Sequence, residues 1–220
     1  MPVTLAETVV RLRGRARYAT VRALDVLSTE ARRRDAERLF LGQPRRLPDR
    51  VGSRAFFLLS AREWRRRGDM PGHVAPLRAG LDACTRPERV LDLGTGPGGG
   101  AATAAAVFPD AQVVGVDELR SMIRLARRQH AAANVTFAVG RAEALPLADG
   151  EFDLVTMLNA LPDVPELSRV ASAEAEALIA STYFGNLPEP WVERLRQFGF
   201  ELVSAGRVDA GSWHLFRRRR

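Results

Sequence analysis

The sequence contains no lysine and a single cysteine, Cys84, among its 220 residues. One cysteine cannot form an intramolecular disulfide, so a disulfide framework is excluded, and a free thiol is typical of a reducing compartment. The single cysteine and the three histidines also supply too few ligands for a usual zinc site. We therefore expect a cytoplasmic protein, from the bacterial cytosol, without a metal centre.

Long apolar segments are missing as well. The apolar stretch AFFLLSA at residues 55–61 is far shorter than the roughly 20 residues that a membrane-spanning helix needs. Arginines at positions 11, 13, 15 and 17 interrupt any candidate apolar segment of a signal peptide. The sequence thus predicts neither a transmembrane helix nor a secretory signal.

Charge is spread unevenly along the chain. Residues 1–80 contain 18 arginines and 8 acidic residues, whereas residues 81–220 contain 15 arginines and 18 acidic residues. This difference separates a basic N-terminal arm from a mildly acidic body. The arginine runs are typical of a solvent-exposed face. The functional alternatives are that they bind an anionic substrate, RNA or the surface of an anionic membrane.

The arm is expected to be helical. Apolar residues at helical spacing predict a helix over residues 3–28. A second helix is predicted over residues 28–41, with Ser28 as N-cap and Gly42 just after its end.

The rest of the arm contains turn signals and one short helix. Residues 42–53 are predicted to be a loop, residues 55–67 a helix, and residues 68–73, GDMPGH, a break rich in turn residues. We place the boundary there, with a helical arm and substrate lid over residues 1–74 and a body over residues 75–220.

The body alternates between strand and helix patterns. After a first helix over residues 73–84, strands are predicted at residues 89–94, 111–117, 135–140, 152–158 and 177–182, with helices at 98–108, 119–133, 165–176 and 189–200. A hairpin-like pair at 200–208 and 212–218 closes the chain. Such alternation predicts an α/β fold: a Rossmann-like, doubly wound, mostly parallel sheet with an antiparallel C-terminal strand.

A glycine-rich loop, GTGPGG, follows the first strand of the body. It matches G-x-G-x-x-G through Gly94, Gly96 and Gly99, and G-x-G-x-G through Gly94, Gly96 and Gly98. Either pattern is compatible with a nicotinamide dinucleotide as the bound ligand. Asp117, at the end of the second strand, does not distinguish a dinucleotide from another ligand that contains a ribose. Its carboxylate can accept hydrogen bonds from ribose hydroxyls in both cases.

Asp92 narrows the choice of ligand. It lies two residues before Gly94, where a carboxylate would repel a pyrophosphate and suit a cationic ammonium group. S-adenosylmethionine carries an ammonium group and no phosphate. Glycines allow the backbone to approach such a ligand closely, and the following helix N-terminus favours its carboxylate.

Three segments resemble the class I S-adenosylmethionine-dependent methyltransferases of the ubiquinone/menaquinone-methyltransferase-like kind, also described as methyltransferase type 11-like. These are VLDLGTGPG, VVGVDELRSMIRLAR and GRAEALPLADGEFDLVTMLNAL, and the resemblance covers roughly residues 75–210. It implies S-adenosylmethionine as cofactor, with the methionine part at Asp92, Gly94, Gly96 and Gly98, the ribose at Asp117, and the adenine edge at Ala142 and Glu143; Glu118 is a further expected cofactor contact.

The chain departs from the family pattern in several places. Arg141 stands where an adenine-binding aspartate is frequent, and Pro162-Asp163 replaces a frequent histidine pair. An insertion that often forms a lid after strand five is nearly absent, so we expect the arm to supply the substrate roof. These departures leave open a non-catalytic module that binds the cofactor.

The implied reaction is methyl transfer to a small-molecule acceptor, with RNA as an alternative acceptor. Candidates for a base or a substrate contact are His73, Asn159 and Asp163. His130 and His214 are expected to be structural. A monomer and a homodimer are both compatible with the sequence.

Overall fold

The structure is a computed structural model that describes residues 30–44, 46–53, 71–182 and 185–219. The chain divides into two compact units. Of the described residues, 30–36 and 46–53 belong to one unit, and 37–44, 71–182 and 185–219 belong to the other. The helices predicted over residues 3–28 and 55–67 lie outside the described residues.

Helix α1 covers residues 30–40, as the prediction for 28–41 requires. Gly42 has φ 67, and the amides of Gly42 and Gln43 donate to the carbonyls of Leu39 and Arg38. This pair of bonds is the Schellman arrangement, in which a left-handed glycine terminates a helix. The proposed end at Gly42 is therefore confirmed, whereas the proposed N-cap Ser28 lies outside the described residues.

The prediction of a loop over residues 42–53 is wrong in its second half. Residues 47–53 form helix α2, with Pro48 in its first turn, where a missing amide costs no hydrogen bond. Within the first unit, Arg34 Nε donates to the buried Asp49 at 2.9 Å, and Gly52 packs on Ala31. A short helix is thus stabilised by contacts that are distant in sequence.

From residue 71 on, the described part of the larger unit contains twelve elements. They are α3 (Pro71–Leu81), β1 (Arg89–Leu93), α4 (Gly99–Val107), β2 (Gln112–Asp117), α5 (Arg120–Gln129), β3 (Val135–Val139), β4 (Phe152–Leu158), α6 (Val164–Val170), β5 (Ala171–Ser181), α7 (Glu189–Gln197), β6 (Phe200–Val208) and β7 (Gly211–Arg218). The strands form one sheet in the order β3-β2-β1-β4-β5-β7-β6, and β7 runs antiparallel to both of its neighbours. The predicted fold class is confirmed.

Both faces of the sheet are covered. Successive residues of a strand point to opposite faces, and Val90 and Leu91 accordingly belong to different apolar clusters. The cluster of Val90 includes residues of α3, α4 and α5, and that of Leu91 includes residues of α6 and α7 together with Phe40. No helix among the described residues is long and apolar enough to cross a membrane.

The boundary between α6 and β5 corrects one prediction. The helix predicted over residues 165–176 ends at Val170, and strand β5 begins at Ala171. The segment is rich in alanine and glutamate, which favour helices, but it pairs with β4 through an irregular register. Tertiary pairing therefore overrides the local helix preference.

The turn-rich break before the body also needs correction. Pro71, Gly72 and His73 form the first turn of α3. Proline is favoured at the first helical position, because its φ is already helical and that position needs no amide hydrogen bond. Residues 68–70 lie outside the described part of the chain, and the division into arm and body at residue 74 stays a prediction.

Glu176 joins three segments of the larger unit. Its side chain is buried; Oε2 accepts hydrogen bonds from the amide of Thr85 at 2.8 Å and from its hydroxyl at 3.0 Å. Oε1 accepts from Nη2 of Arg217 at 2.7 Å. A buried carboxylate is tolerated here because each oxygen has a donor.

We expect Glu176→Ala to lower the free energy of unfolding by about 2 kcal/mol, because it removes a buried carboxylate that accepts hydrogen bonds from Thr85 and pairs with the half-exposed Arg217. The matched control is Glu193→Ala on α7, which removes an exposed pair with Arg196 and should cost less than about 1 kcal/mol. Chemical denaturation measures both values. Equal losses in the two variants would contradict the expectation.

Candidate active site

The glycine loop follows β1 at the carboxyl edge of the sheet, where doubly wound folds bind ligands. The amides of Gly94 and Thr95 both donate to the carbonyl of Val116, at 2.8 and 3.0 Å, which ties the loop to β2. Gly94 has φ 69, and a Cβ atom there would lie 2.6 Å from Cβ of Ala160. The loop thus has both a left-handed backbone and too little room for a side chain.

The end of this loop leads into α4. Gly98 has φ 100, and a Cβ atom there would lie 2.8 Å from Cδ2 of His130 and 3.1 Å from Cζ of Phe137. The backbone therefore packs directly against α5 and β3. His130, expected to be structural and to face away from the site, lies beside the loop.

Asp92 is buried where β1 ends. Its Oδ1 accepts a hydrogen bond from the Thr156 hydroxyl at 2.8 Å, whereas Oδ2 makes no hydrogen bond of ordinary geometry within the described residues. A Cβ atom at Gly100 would lie 2.7 Å from Oδ2, so the carboxylate lies against the first turn of α4. Sequence reasoning missed Thr156; its only signal was a polar residue inside the apolar strand FDLVTML.

Burial raises the pKa of Asp92 to about 6, and the nearby hydroxyls of Thr95 and Thr156 and the backbone amide of Ala101 oppose this rise. A buried acceptor with an unused oxygen is costly unless a donor or a cation reaches it. The carboxylate at this position therefore fits a cationic group of a ligand. It suits an ammonium group better than a phosphate.

Asp117 lies at the end of β2 and bridges to the glycine loop. Its Oδ2 accepts from the amide of Gly96 at 3.0 Å and its Oδ1 from the amide of Leu119 at 2.8 Å. Burial raises its pKa to about 6, and these two amides oppose the shift. Each oxygen retains a second lone pair for a hydroxyl donor. The neighbouring Glu118 is exposed.

The loop after β3 lies beside Asp117. The amide of Gly140 donates to the carbonyl of Asp117 at 3.1 Å, and Arg141 forms an ion pair with Glu143. Ala142, between them, is partly buried. The loop that carries the predicted adenine contacts is thus placed next to the predicted ribose contact.

Two residues that sequence reasoning missed hold this loop. Glu166 Oε1, on α6, accepts from the amide of Leu145 at 2.8 Å. Arg169 donates to the carbonyls of Leu147 at 2.9 Å and Leu145 at 3.2 Å, and to Glu166 at 2.7 Å. The spacing of three residues between Glu166 and Arg169 predicts an ion pair on one helix. It does not predict the hydrogen bonds of these two side chains to the loop.

We expect Arg169→Ala to weaken binding of S-adenosylhomocysteine about three- to tenfold while the fold is retained. Loss of the guanidinium leaves the Leu145 and Leu147 carbonyls without their donor, so the loop with Ala142 becomes less ordered. Calorimetry measures the affinity, and Arg124→Ala, an exposed site on α5, is the control. Unchanged affinity would show that this loop does not carry a ligand contact.

The ends of β4 and β5 are joined by Asn159, which has φ 56. Its amide donates to the carbonyl of Ala180 at 2.9 Å, and its Oδ1 accepts from the amide and hydroxyl of Thr182 at 2.9 and 3.2 Å. A non-glycine residue with positive φ is strained and occurs frequently at functional sites.

Asp163 and His73 also lie toward this edge. Asp163 is the N-cap of α6 and accepts from the amide of Glu166 at 3.0 Å; burial raises its pKa. His73 is in the first turn of α3, one turn before Pro76. Pro76 packs beside Gly211, and Gly211 also lies against the carbonyl of Ser181. The carboxyl edge thus brings together the glycine loop, Asp92, Asp117 and Asn159, with His73 at its border.

Residues 90–180 match a protein-family profile described as a methyltransferase domain. The chain is 33% identical over 96 residues to a phthiotriol/phenolphthiotriol dimycocerosates methyltransferase of Mycobacterium ulcerans, covering 44% of this chain and 35% of that protein. It is 39% identical over 82 residues to a ubiquinone/menaquinone biosynthesis C-methyltransferase of Desulfotalea psychrophila, covering 37% of this chain and 33% of that protein. The chain thus spans about a third of the length of these curated relatives.

A solved structure shares the fold at low sequence identity. It is that of a methyltransferase in complex with the Trm112 methyltransferase activator from Haloferax volcanii, with a TM-score of 0.63 and 16% identity. The alignment covers 74% of this chain and 98% of that one.

Proposed function

We propose that the protein is a class I S-adenosylmethionine-dependent methyltransferase that transfers a methyl group to a small-molecule acceptor, a proposal supported by the match of residues 90–180 to a methyltransferase domain. The observation that carries this proposal is the unused oxygen of the buried Asp92 carboxylate beside the glycine loop. The bound cofactor supplies an electrophilic methyl group on a sulfonium.

The residues at the carboxyl edge fit this cofactor. Asp92 provides the anion for its ammonium group, directly or through water, and Gly94, Gly96 and Gly98 present only backbone along the methionine part. Asp117 would accept the ribose hydroxyls with Glu118 beside it, and Ala142 and Glu143 would contact the adenine edge.

Several features favour a small and largely apolar acceptor. Ala160 and Leu161, after β4, and Leu187, before α7, are partly buried apolar residues packed on one cluster. The two curated relatives are named for phthiotriol/phenolphthiotriol dimycocerosates and for ubiquinone/menaquinone biosynthesis, and we extend this apolar class of acceptor to the present chain. His73, Asn159 and Asp163 are the candidate contacts for the acceptor, and we propose catalysis mainly by alignment and exclusion of water.

Calorimetry with S-adenosylhomocysteine, with NAD in parallel, tests the cofactor. Binding of S-adenosylhomocysteine without NAD is the expected result, and binding of NAD alone would overturn the proposal. Release of S-adenosylhomocysteine with a panel of quinones, phenols, fatty acids, amines and RNA then tests turnover. Turnover with RNA only would favour the RNA alternative, and cofactor binding without any turnover would favour a non-catalytic module.

We also propose that the arm, residues 1–74, acts as the substrate lid. A deletion that tests it has to retain Phe40, which is fully buried in the core of the larger unit. Deletion of residues 1–29 meets this condition. Retained cofactor affinity with lost turnover is expected; full turnover by the truncated protein would rule out a lid in those residues.

A further inference from the structure

We propose that His214 is a positioning residue that holds the segment between β5 and α7, residues 185–188, in place beside the acceptor site. The proposal rests on the proposed function, since that function makes the carboxyl edge of β4 and β5 the place where the acceptor enters. His214 touches neither of the cofactor-binding aspartates in the described structure.

His214 lies on β7 and is buried, with 7% of its surface exposed. It stands opposite Ile179 of β5 and Ala205 of β6, so its side chain points to the face covered by α6 and α7. Its Nε2 accepts a hydrogen bond from the amide of Leu187 at 3.4 Å. This bond requires the neutral tautomer with the proton on Nδ1.

The hydrogen bond between the Leu187 amide and His214 is one of several contacts around the carboxyl edge of the sheet. Gly94 of the glycine loop lies against Ala160, and the neighbouring Asn159 binds the amide of Thr182 at the end of β5. The connection that begins at Thr182 returns to the sheet at Leu187, which packs on the same apolar cluster as Ala160. His214 is therefore a side chain that ties the far end of this connection to the sheet.

Protonation of the imidazole would remove the acceptor, because both ring nitrogens then carry protons. Burial lowers the pKa of His214 from its ordinary value of 6.5, so the neutral form prevails at pH 7. The facing residues Ile179, Ala205 and Leu187 are uncharged. The charged residues on the surrounding elements are Glu166, Arg169, Glu174, Glu176, Glu189, Glu193, Arg194, Arg196, Glu201, Arg207, Arg217 and Arg218, and the cause of the lowered pKa of His214 is burial.

Amide hydrogen exchange measured by NMR on the full chain tests the proposal. His214→Leu removes the acceptor and keeps apolar bulk, whereas His214→Gln keeps an acceptor at the position of Nε2. At pH 7.5 we expect the Leu187 amide to exchange about three- to tenfold faster in the His214→Leu variant and at the wild-type rate in the His214→Gln variant. The amide of Leu178, inside β5, is the internal control and should not change.

Two further measurements separate positioning from a purely structural role. After correction for intrinsic rates, wild-type protection of Leu187 should fall as the pH is lowered below 6.5, the ordinary pKa of histidine, and that of the His214→Gln variant should not. With an acceptor from the panel, His214→Leu should raise the KM for that acceptor about three- to tenfold and leave the Kd for S-adenosylhomocysteine unchanged.

Unchanged exchange at Leu187 in the His214→Leu variant, or no rescue by glutamine, would overturn the proposal. Faster exchange with an unchanged KM would also overturn it, because the bond would then be only structural. Failure of the wild-type protein to bind S-adenosylhomocysteine would instead refute the proposed function, and the exchange experiment would still report on the bond itself.

Discussion

The Asp92→Asn variant is expected to bind S-adenosylhomocysteine at least about tenfold more weakly than the wild type at pH 7.5. The substitution keeps the shape of the side chain and its bond from Thr156, but it removes the charge that would hold the ammonium group. A hydrogen bond to a charged group contributes about 1.5–3 kcal/mol, which corresponds to roughly tenfold or more in affinity. Calorimetry measures the change.

The control is Asp110→Asn, an identical substitution at an exposed residue after α4, which should leave the affinity unchanged. The free energy of unfolding of Asp92→Asn should be no lower than that of the wild type, because the amide needs no desolvation of a charge. Equal affinities of the Asp92→Asn variant and the wild type would remove the main support for an ammonium ligand.

The same carboxylate predicts how binding depends on pH. Because the pKa of Asp92 is raised to about 6, the side chain is ionised at pH 7.5 and becomes neutral as the pH falls below that value. Affinity should therefore decline by up to about tenfold per pH unit below pH 6. Asp117, whose pKa is also about 6, adds a smaller dependence that the Asp92→Asn variant should retain.

As the pH falls, Asp92 should increase the stability of the cofactor-free protein, whereas its affinity for the cofactor should decrease. The folded state binds the Asp92 proton more tightly than the unfolded chain, in which the pKa is near 3.8. The contribution of this group to stability is therefore complete below about pH 4 and is lost as the pH rises through about 6. Denaturation of the wild type and of Asp92→Asn across this range isolates the contribution.

Phe40→Ala should lower the free energy of unfolding by about 3–5 kcal/mol. Phe40 is fully buried, and its ring lies 5.0 Å from that of Trp191 on α7, at an interplanar angle of 32°. Its removal would leave a cavity in the core of the larger unit, although the residue lies in the sequence before the predicted boundary of the body.

Thermal and chemical denaturation measure this effect. Leu47→Ala, at a site that is 70% exposed, is the apolar control and should change stability by less than about 0.5 kcal/mol. A similarly small effect of Phe40→Ala would mean that the end of α1 is not part of this core in solution.

The sequence by itself determined those features that depend on local periodicity and on neighbours in the chain. Strands β1, β2 and β4 follow from apolar runs, and the glycine loop follows from its spacing after β1. Asp92 could be singled out because it lies two residues before Gly94, so the nature of the ligand could be predicted without a structure.

Only the tertiary structure decided the features that depend on partners far away in sequence. Thr156 is 64 positions from the carboxylate it binds, Glu166 is 21 from the Leu145 amide, and Leu187 is 27 from His214. The first half of β5 has a helix-favouring composition and is a strand because β4 pairs with it. Local preferences amount to less than about 1 kcal/mol per residue, so pairing and burial override them wherever the fold brings distant groups together.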